Sequence, residues 1–156
     1  MEKEMNQHDW TQVAEIEIVY KTKIKASNRP RVQCSREIYD LLLSKWDMNL
    51  IEIQEQFKVL FLNRTNRVLG LYQAASGGLT GTVADTRLIL AAALKAGACN
   101  IVLSHNHPSS SLLPSRCDEQ LTAKIKEAAR YHDIGVIDHI IVTPESYYSF
   151  ADEGLL

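Results

Sequence analysis

The sequence predicts an α/β (α+β) fold with a mixed central β-sheet flanked by helices. Segments of strict apolar/polar alternation are interleaved with segments of helical periodicity, and the turn residues fall between them. The chain has 156 residues, 46% of them hydrophobic and 23% charged. That length and composition suit a single core. The expected organisation is a polar N-terminal tail over residues 1–13 and one domain over residues 14–156.

Residues 15–25 alternate, with Ile16, Ile18, Tyr20, Thr22 and Ile24 on one side, which predicts a strand buried on one face. After the turn-like Ser27-Asn28-Arg29-Pro30, Ser35 is a candidate cap for a helix whose Ile38, Leu41, Leu42 and Trp46 share a face. Two strands follow, over about 57–62 and 67–74, joined by Asn63-Arg64-Thr65-Asn66 as a hairpin turn. Ser76-Gly77-Gly78 and Gly81 mark a loop, and the Leu- and Ala-rich stretch 85–98 reads as a buried helix. Asn100 to Ser104 is a short apolar strand. A last helix runs from a Ser115 cap to about Tyr131, with Leu121, Ile125 and Ala128 inward, and an apolar strand covers Val136 to Val142.

The chemistry concentrates where the short strand ends. His105-Asn106-His107-Pro108 and Ser115-Arg116-Cys117-Asp118 together form the pattern HxHPx6Sx2D. Residues two apart in extended backbone point the same way, so His105 and His107 can reach one ion. Pro108 favours extended backbone at the second histidine. Asp118 falls in the first turn of the following helix, where the helix dipole favours a carboxylate and from which it can fold back as a third ligand. Two imidazoles and a carboxylate suit a catalytic Zn²⁺ that keeps a fourth position for water. Singly, these residues have plainer roles: Ser115 with Asp118 makes an acidic capping box, and a lone histidine at a strand end is more often a hydrogen-bonded core residue. It is the joint occurrence that points to a metal.

The motif, with a glutamate upstream, resembles the JAMM, or JAB/MPN-plus, metalloprotease pattern, and within it the RadC-like proteins. The likeness runs from Glu55-Gln56-Phe57-Lys58-Val59-Leu60-Phe61-Leu62-Asn63 through Thr86-Arg87 and Ala93-Leu94 to Asp138-His139-Ile140-Ile141-Val142 and Tyr148-Ser149. It implies a JAB/MPN (cytidine-deaminase-like) architecture, with one Zn²⁺ held by His105, His107 and Asp118 and Glu55 as catalytic acid/base. The acidic stretch also offers Glu52; the resemblance selects Glu55, two residues before Phe57. A carboxylate there would take the water's proton and pass it to a leaving amine. Ser115 would donate its hydroxyl to the oxyanion, a role the family also gives that serine. RadC-like proteins commonly carry glycine after the serine that follows the histidines. Here Ser109-Ser110-Ser111 stands in its place, between the ligands, so that metal binding is expected to survive and substrate access to change.

Asp138 and His139 are read as structural, supporting the site from a second layer. Cys117, beside Asp118, points elsewhere on its helix. His132 is expected to cap a helix end and His8 to be solvated. Cys34, Cys99 and Cys117 have no finger-like spacing and are expected as free thiols. Lys21, Lys23 and Lys25, with Arg29 and Arg31, form the one basic concentration, read as protection for a strand edge.

With a formal charge of −2, nucleic-acid binding is unsupported by charge. The family's helix-hairpin-helix region is expected to be missing, because the chain begins too close to the catalytic domain. No signal-like or bilayer-spanning run is seen, which gives a cytoplasmic expectation. The leading expectation is a zinc-dependent hydrolase of metallopeptidase or isopeptidase type acting on a peptide or protein. The alternative is a metal-stabilised, non-catalytic binding module associated with DNA repair or mobile-element functions.

Overall fold

The computed structural model describes residues 11–17, 19–78 and 83–156. A single 3₁₀ turn (Ala26–Asn28) precedes helix α1 (Ser35–Ser44), strands β1 (Gln56–Leu62) and β2 (Val68–Ser76), helix α2 (Thr86–Ala96) and strand β3 (Asn100–Asn106). Helix α3 (Arg116–Arg130) and strands β4 (Gly135–Val142) and β5 (Tyr147–Ser149) complete the order. The strands form one mixed sheet, β2-β1-β3-β4-β5. β1 is antiparallel to both neighbours, β3 and β4 are parallel, and β5 returns antiparallel to β4. The parallel step needs a crossover, which α3 supplies.

Alternation along the strands sorts the core into two layers. Phe57, Val59, Phe61, Ile101 and Leu103 face α2 and α3, where they meet Ile89, Ala93, Ile125 and Ala129. Leu60, Leu62, Val102, Ile140 and Val142 face the other way, onto Ile38, Tyr39, Leu42 and Trp46 of α1 and the turn after it. Local chemistry sets the ends of the elements. The Asn63 side-chain oxygen accepts from the N–H of Thr65 at 3.0 Å and of Arg67 at 2.9 Å, closing the β1–β2 hairpin, with Asn66 at φ 59°. Asp85 accepts from Arg87 N at 2.9 Å to start α2, and Gly97 at φ 68° ends it in the left-handed conformation that a side chain disfavours.

Three expectations are corrected. First, residues 11–17 and 19–25 form no strand: Ile16 is 91% and Ile24 54% exposed, so the alternating apolar side is not buried as a strand face would be. Ile18 lies outside the described residues. Lys21, Lys23 and Lys25 therefore guard no strand edge, and this segment's contact with the sheet edge includes a hydrogen bond from the Tyr20 hydroxyl to Leu69 O. Second, Ser35 is the first residue of α1 and not its cap, since its hydroxyl bonds Asp152 and Tyr147. The Glu37 carboxylate instead accepts from Gln33 N at 2.7 Å. Third, the buried face of α3 is Thr122, Ile125 and Ala129, a rotation from the expected Leu121 and Ala128, which are half-buried. Thr122 is drawn inward by polar bonds described below.

Among the described residues no helix is long and apolar enough to cross a membrane. Leu103, fully buried at the middle of β3, joins the sheet to α2 and α3. Leu103→Ala is expected to lower stability by about 2–5 kcal/mol, measured by urea unfolding followed by circular dichroism; a loss under about 1 kcal/mol would show that this layer collapses around the cavity.

Candidate metal centre

Two strands and one helix deliver the site. His105 pairs with Phe57 across the antiparallel β1–β3 ladder. Glu55 immediately precedes β1 and His107 immediately follows β3, at the same end of that ladder. The Glu55 charge accordingly helps to raise the His107 pKa. His105 is buried on the α2/α3 face, its ring parallel to Phe57 with centroids 6.1 Å apart. The loop after β3 then returns the chain to the start of α3, where Asp118 closes the cluster.

One nitrogen of each imidazole and a carboxylate oxygen of Asp118 all lie within 4.8 Å of one another, so the three residues could hold one metal ion. His105 Nε2 is 2.9 Å from His107 Nε2 and 3.3 Å from Asp118 Oδ1, and His107 Nε2 is 3.5 Å from Asp118 Oδ2. Tetrahedral ligands bonded at ~2.0–2.1 Å stand about 3.4 Å apart, so only a slight opening of the histidine pair is needed.

The outer hydrogen bonds decide which nitrogens carry protons. His107 Nδ1 is 2.8 Å from Ser111 O. A carbonyl can only accept, so Nδ1 is the protonated nitrogen and the neutral ring has its lone pair on Nε2. The His105 case takes one more step. Thr122 Oγ1 donates to Asp118 O at 2.6 Å and lies 2.6 Å from His139 Nδ1. Its single hydrogen being used, it accepts from His139 Nδ1–H. His139 Nε2 is then the acceptor for His105 Nδ1–H, 2.8 Å away. Burial above all holds the His139 pKa well below its ordinary value, consistent with a neutral ring. Three lone pairs, two on nitrogen and one on a carboxylate, therefore converge on one point. Only a shared proton or a cation relieves that arrangement.

Electrostatics describes the proton-holding state. The hydrogen bond to Asp118 raises the His107 pKa, against burial, and the Ser111 carbonyl and the Asp118 and Glu55 charges add to it. For Asp118, burial works to raise the pKa, but hydrogen bonds from His105 and His107 hold it well below the ordinary carboxylate range.

The capping box and the His-His-Asp cluster share Asp118. Asp118 N donates to Ser115 Oγ at 3.1 Å while Ser115 N donates to Asp118 Oδ2 at 2.7 Å, a reciprocal capping box. The cap orients the carboxylate and leaves Oδ1 and the remaining lone pairs for the histidines. Ser115 only accepts in the cap, so its O–H is still available to donate. In the loop before it, Ser110 sits at φ 60°. That left-handed backbone disfavours a side chain and costs serine roughly 1 kcal/mol. That turn, closed by Ser110 N to His107 O at 2.8 Å, brings Ser111 O onto His107.

The structure separates Asp138 from His139. β3 and β4 pair Ile101 with Val136 but Val102 with Asp138, so Ile137 is an extra residue in a bulge. A one-residue shift reverses every later side chain. His139, paired with Leu103, reaches His105, and Asp138 takes the opposite face. The Asp138 carboxylate accepts from Ser149 Oγ at 2.7 Å, Ala151 N at 3.1 Å and His139 N at 2.7 Å. Burial, opposed by the Ser149 bond, raises its pKa. Cys117 is exposed and outside the cluster; Cys34 and Cys99 are likewise exposed and free. His132 is exposed after the end of α3, and only its N–H, donating to Ala129 O at 2.9 Å, helps close that end. His8 lies outside the described residues. Two residues went unread in the sequence. Thr122 could have been found as a hydroxyl four residues after Asp118 on the same helix face, and Asn106 as a polar side chain inside a buried strand.

The RadC-like JAB domain family model matches residues 32–155. Curated relatives include a UPF0758 protein of Flavobacterium johnsoniae, 48% identical over 101 residues, 65% of this chain and 44% of the relative. A UPF0758 protein of Porphyromonas gingivalis is 41% identical over 104 residues, 66% of this chain and 46% of the relative. One of Streptococcus gordonii is 43% identical over 100 residues, 64% and 44%. The chain thus spans less than half the length of the curated relatives it matches. With the five-stranded mixed sheet, the three helices and the His-His-Asp cluster in view, the match over residues 32–155 shows that this chain belongs to the RadC-like JAB domain family.

Proposed function

We propose that this domain is a zinc-dependent hydrolase of metallopeptidase or isopeptidase type, cleaving an amide bond in a peptide or protein. The convergence of three lone pairs at His105, His107 and Asp118, with their outer hydrogen bonds already satisfied, carries the reading. A structural zinc is normally enclosed by four protein ligands; here, among the described residues, three converge, while Cys117 lies outside the cluster and the Asp138 carboxylate is bonded elsewhere. Zinc fits this nitrogen-rich set and, when bound, supplies a water of pKa about 7 and a polarising charge for the scissile carbonyl.

The chain's own residues supply the rest. Glu55, whose charge acts on His107, takes the proton of the attacking water and returns it to the leaving nitrogen. Ser115 keeps its hydroxyl hydrogen free of the cap and donates it to the developing oxyanion. His139 and Thr122 hold His105 in the tautomer that offers Nε2, as supporting groups commonly do for metal-bound histidine. A cavity of about 420 Å³, lined by Glu52, Ser110, Leu112, Thr143, Glu145 and Ser146, adjoins the loop that carries His107 and Ser115, and gives a chain-like substrate a place to lie.

The direct test is zinc analysis of the purified protein together with hydrolysis of an internally quenched, mixed-sequence peptide library. One zinc per chain and cleavage abolished by chelation and restored by zinc are expected; cleavage unaffected by chelation would overturn the proposal. Glu55→Gln is expected to retain zinc and to lose at least about 10²-fold in kcat, and full turnover in that variant removes Glu55 from the mechanism. Thr122→Val is expected to weaken zinc binding by about 10–100-fold, read by competition with a chromogenic chelator. The metal-free site favours protonated His107, because its pKa is raised, whereas a ligand must be neutral. Apparent zinc affinity is therefore expected to fall as pH drops through that raised pKa, with proton release seen by calorimetry in buffers of different ionisation heat. Affinity independent of pH from 8 to about 5 would contradict the assignment.

A further inference from the structure

The asparagine between the two histidines has no part in holding the ion, since alternation sends it to the opposite face of β3. It is fully buried and all its bonding groups are used. Oδ1 accepts from Gln56 N at 2.8 Å, and Nδ2 donates to Gln54 O at 2.9 Å and to Ile51 O at 2.6 Å. Two carbonyls on one side and an N–H on the other fix which way the amide is turned.

The residue between Gln54 and Gln56 is Glu55. The carbonyl of Gln54 belongs to the peptide plane before Glu55, and the N–H of Gln56 to the plane after it. Both soft dihedrals of Glu55 lie between those two planes. Its own N–H and C=O are held as well, to Gly78 O at 3.3 Å and from Gly77 N at 2.8 Å. Every backbone group that sets the direction of the Glu55 Cα–Cβ bond is thereby tied down, half of them by one side chain that is itself the link between His105 and His107.

We propose that Asn106 is a positioning residue, which clamps the backbone on both sides of Glu55 and so holds its carboxylate in register with the metal ligands. The proposal rests on the hydrolase reading and assigns to the middle residue of the His-x-His motif a role in proton transfer. Ligands and proton carrier, 50 positions apart in sequence, are then a single mechanical unit. Removing the clamp frees Glu55 to sample other directions, which slows the proton step and leaves metal and substrate binding nearly unchanged.

The test is a double-mutant cycle with Glu55→Gln in the full chain, read on the same peptide library. Asn106→Ala is expected to lower kcat by about 10²-fold with KM within about threefold. Zinc affinity should stay within about threefold of wild type, short of the ~10–100-fold loss that follows removal of a ligand's own support. In the Glu55→Gln background the same change should cost under about threefold in kcat. Equal factors in both backgrounds would show that Asn106 acts on the fold in general and overturn the proposal. Asn106→Asp, close in shape, keeps the acceptor for Gln56 N but sets an oxygen against both carbonyls, and should reproduce the kcat loss; wild-type kcat in that variant also overturns it. Amide exchange in the wild-type protein needs no variant: the Gln56 N–H should be protected as strongly as the centre of β1, and exchange at the rate of an exposed turn would rule out the clamp. A zinc-loaded wild type that cleaves nothing overturns the hydrolase reading and the catalytic role of the clamp together, whereas equal factors in the cycle sink the clamp alone.

Discussion

The site depends on the register of β3 between two unlike neighbours. On one side the antiparallel ladder with β1 sets Phe57 against His105 and brings Glu55, just before β1, to the end of the sheet where His107 follows β3. On the other, the parallel ladder with β4 contains one extra residue, Ile137, and that bulge turns His139 and not Asp138 toward His105. Each contact in the centre is inherited from those pairings. A slip by one residue on either side would exchange the metal-facing and α1-facing side chains. The apolar layers make such a slip costly, since Val59 and Leu103 would leave one core while Leu60 and Val102 left the other. Burial that stabilises the fold therefore also protects the geometry of the site.

Local capping and site formation use the same atoms without conflict. The Ser115–Asp118 box satisfies orphan N–H groups at the start of α3 and holds the carboxylate facing the two imidazoles. The helix dipole favours the anion at that end. On the histidine side, Ser111 O and the Thr122–His139 pair fix the outer nitrogens, which leaves both inner nitrogens as lone pairs. Preorganised in this way, the cluster needs a cation or a proton, and the raised His107 pKa is the protein's response when it holds the proton.

The sheet-and-helix pattern, the His-His-Asp cluster and the capped helix were legible because each rests on short-range chemistry: alternation, the i, i+2 relation of His105 and His107, and the spacing of Ser115 to Asp118. What was not legible depends on partners distant in sequence. The alternation over residues 15–25 satisfies every local condition for a strand, but a strand also needs an edge and a covering layer, and neither can be read from alternation. Asp138 and His139 are neighbours of equal promise in sequence; only the bulge at Ile137 separates their fates. Thr122 was hidden because a threonine on a helix looks like surface, while its hydroxyl is claimed by His139 of β4. Asn106 was overshadowed by its flanking histidines, although a buried amide must have partners, and those turned out to be the backbone on either side of Glu55.

The central claim is that His105, His107 and Asp118 grip one divalent ion and leave one coordination position to solvent. X-ray absorption on the zinc-loaded protein tests it most directly. The account expects one zinc per chain with two imidazole nitrogens at about 2.0–2.1 Å and two oxygens at about 2.0–2.2 Å, one of them exchangeable for an added anion. A sulfur neighbour at about 2.3 Å, or a closed shell of four protein donors that no anion displaces, would contradict it.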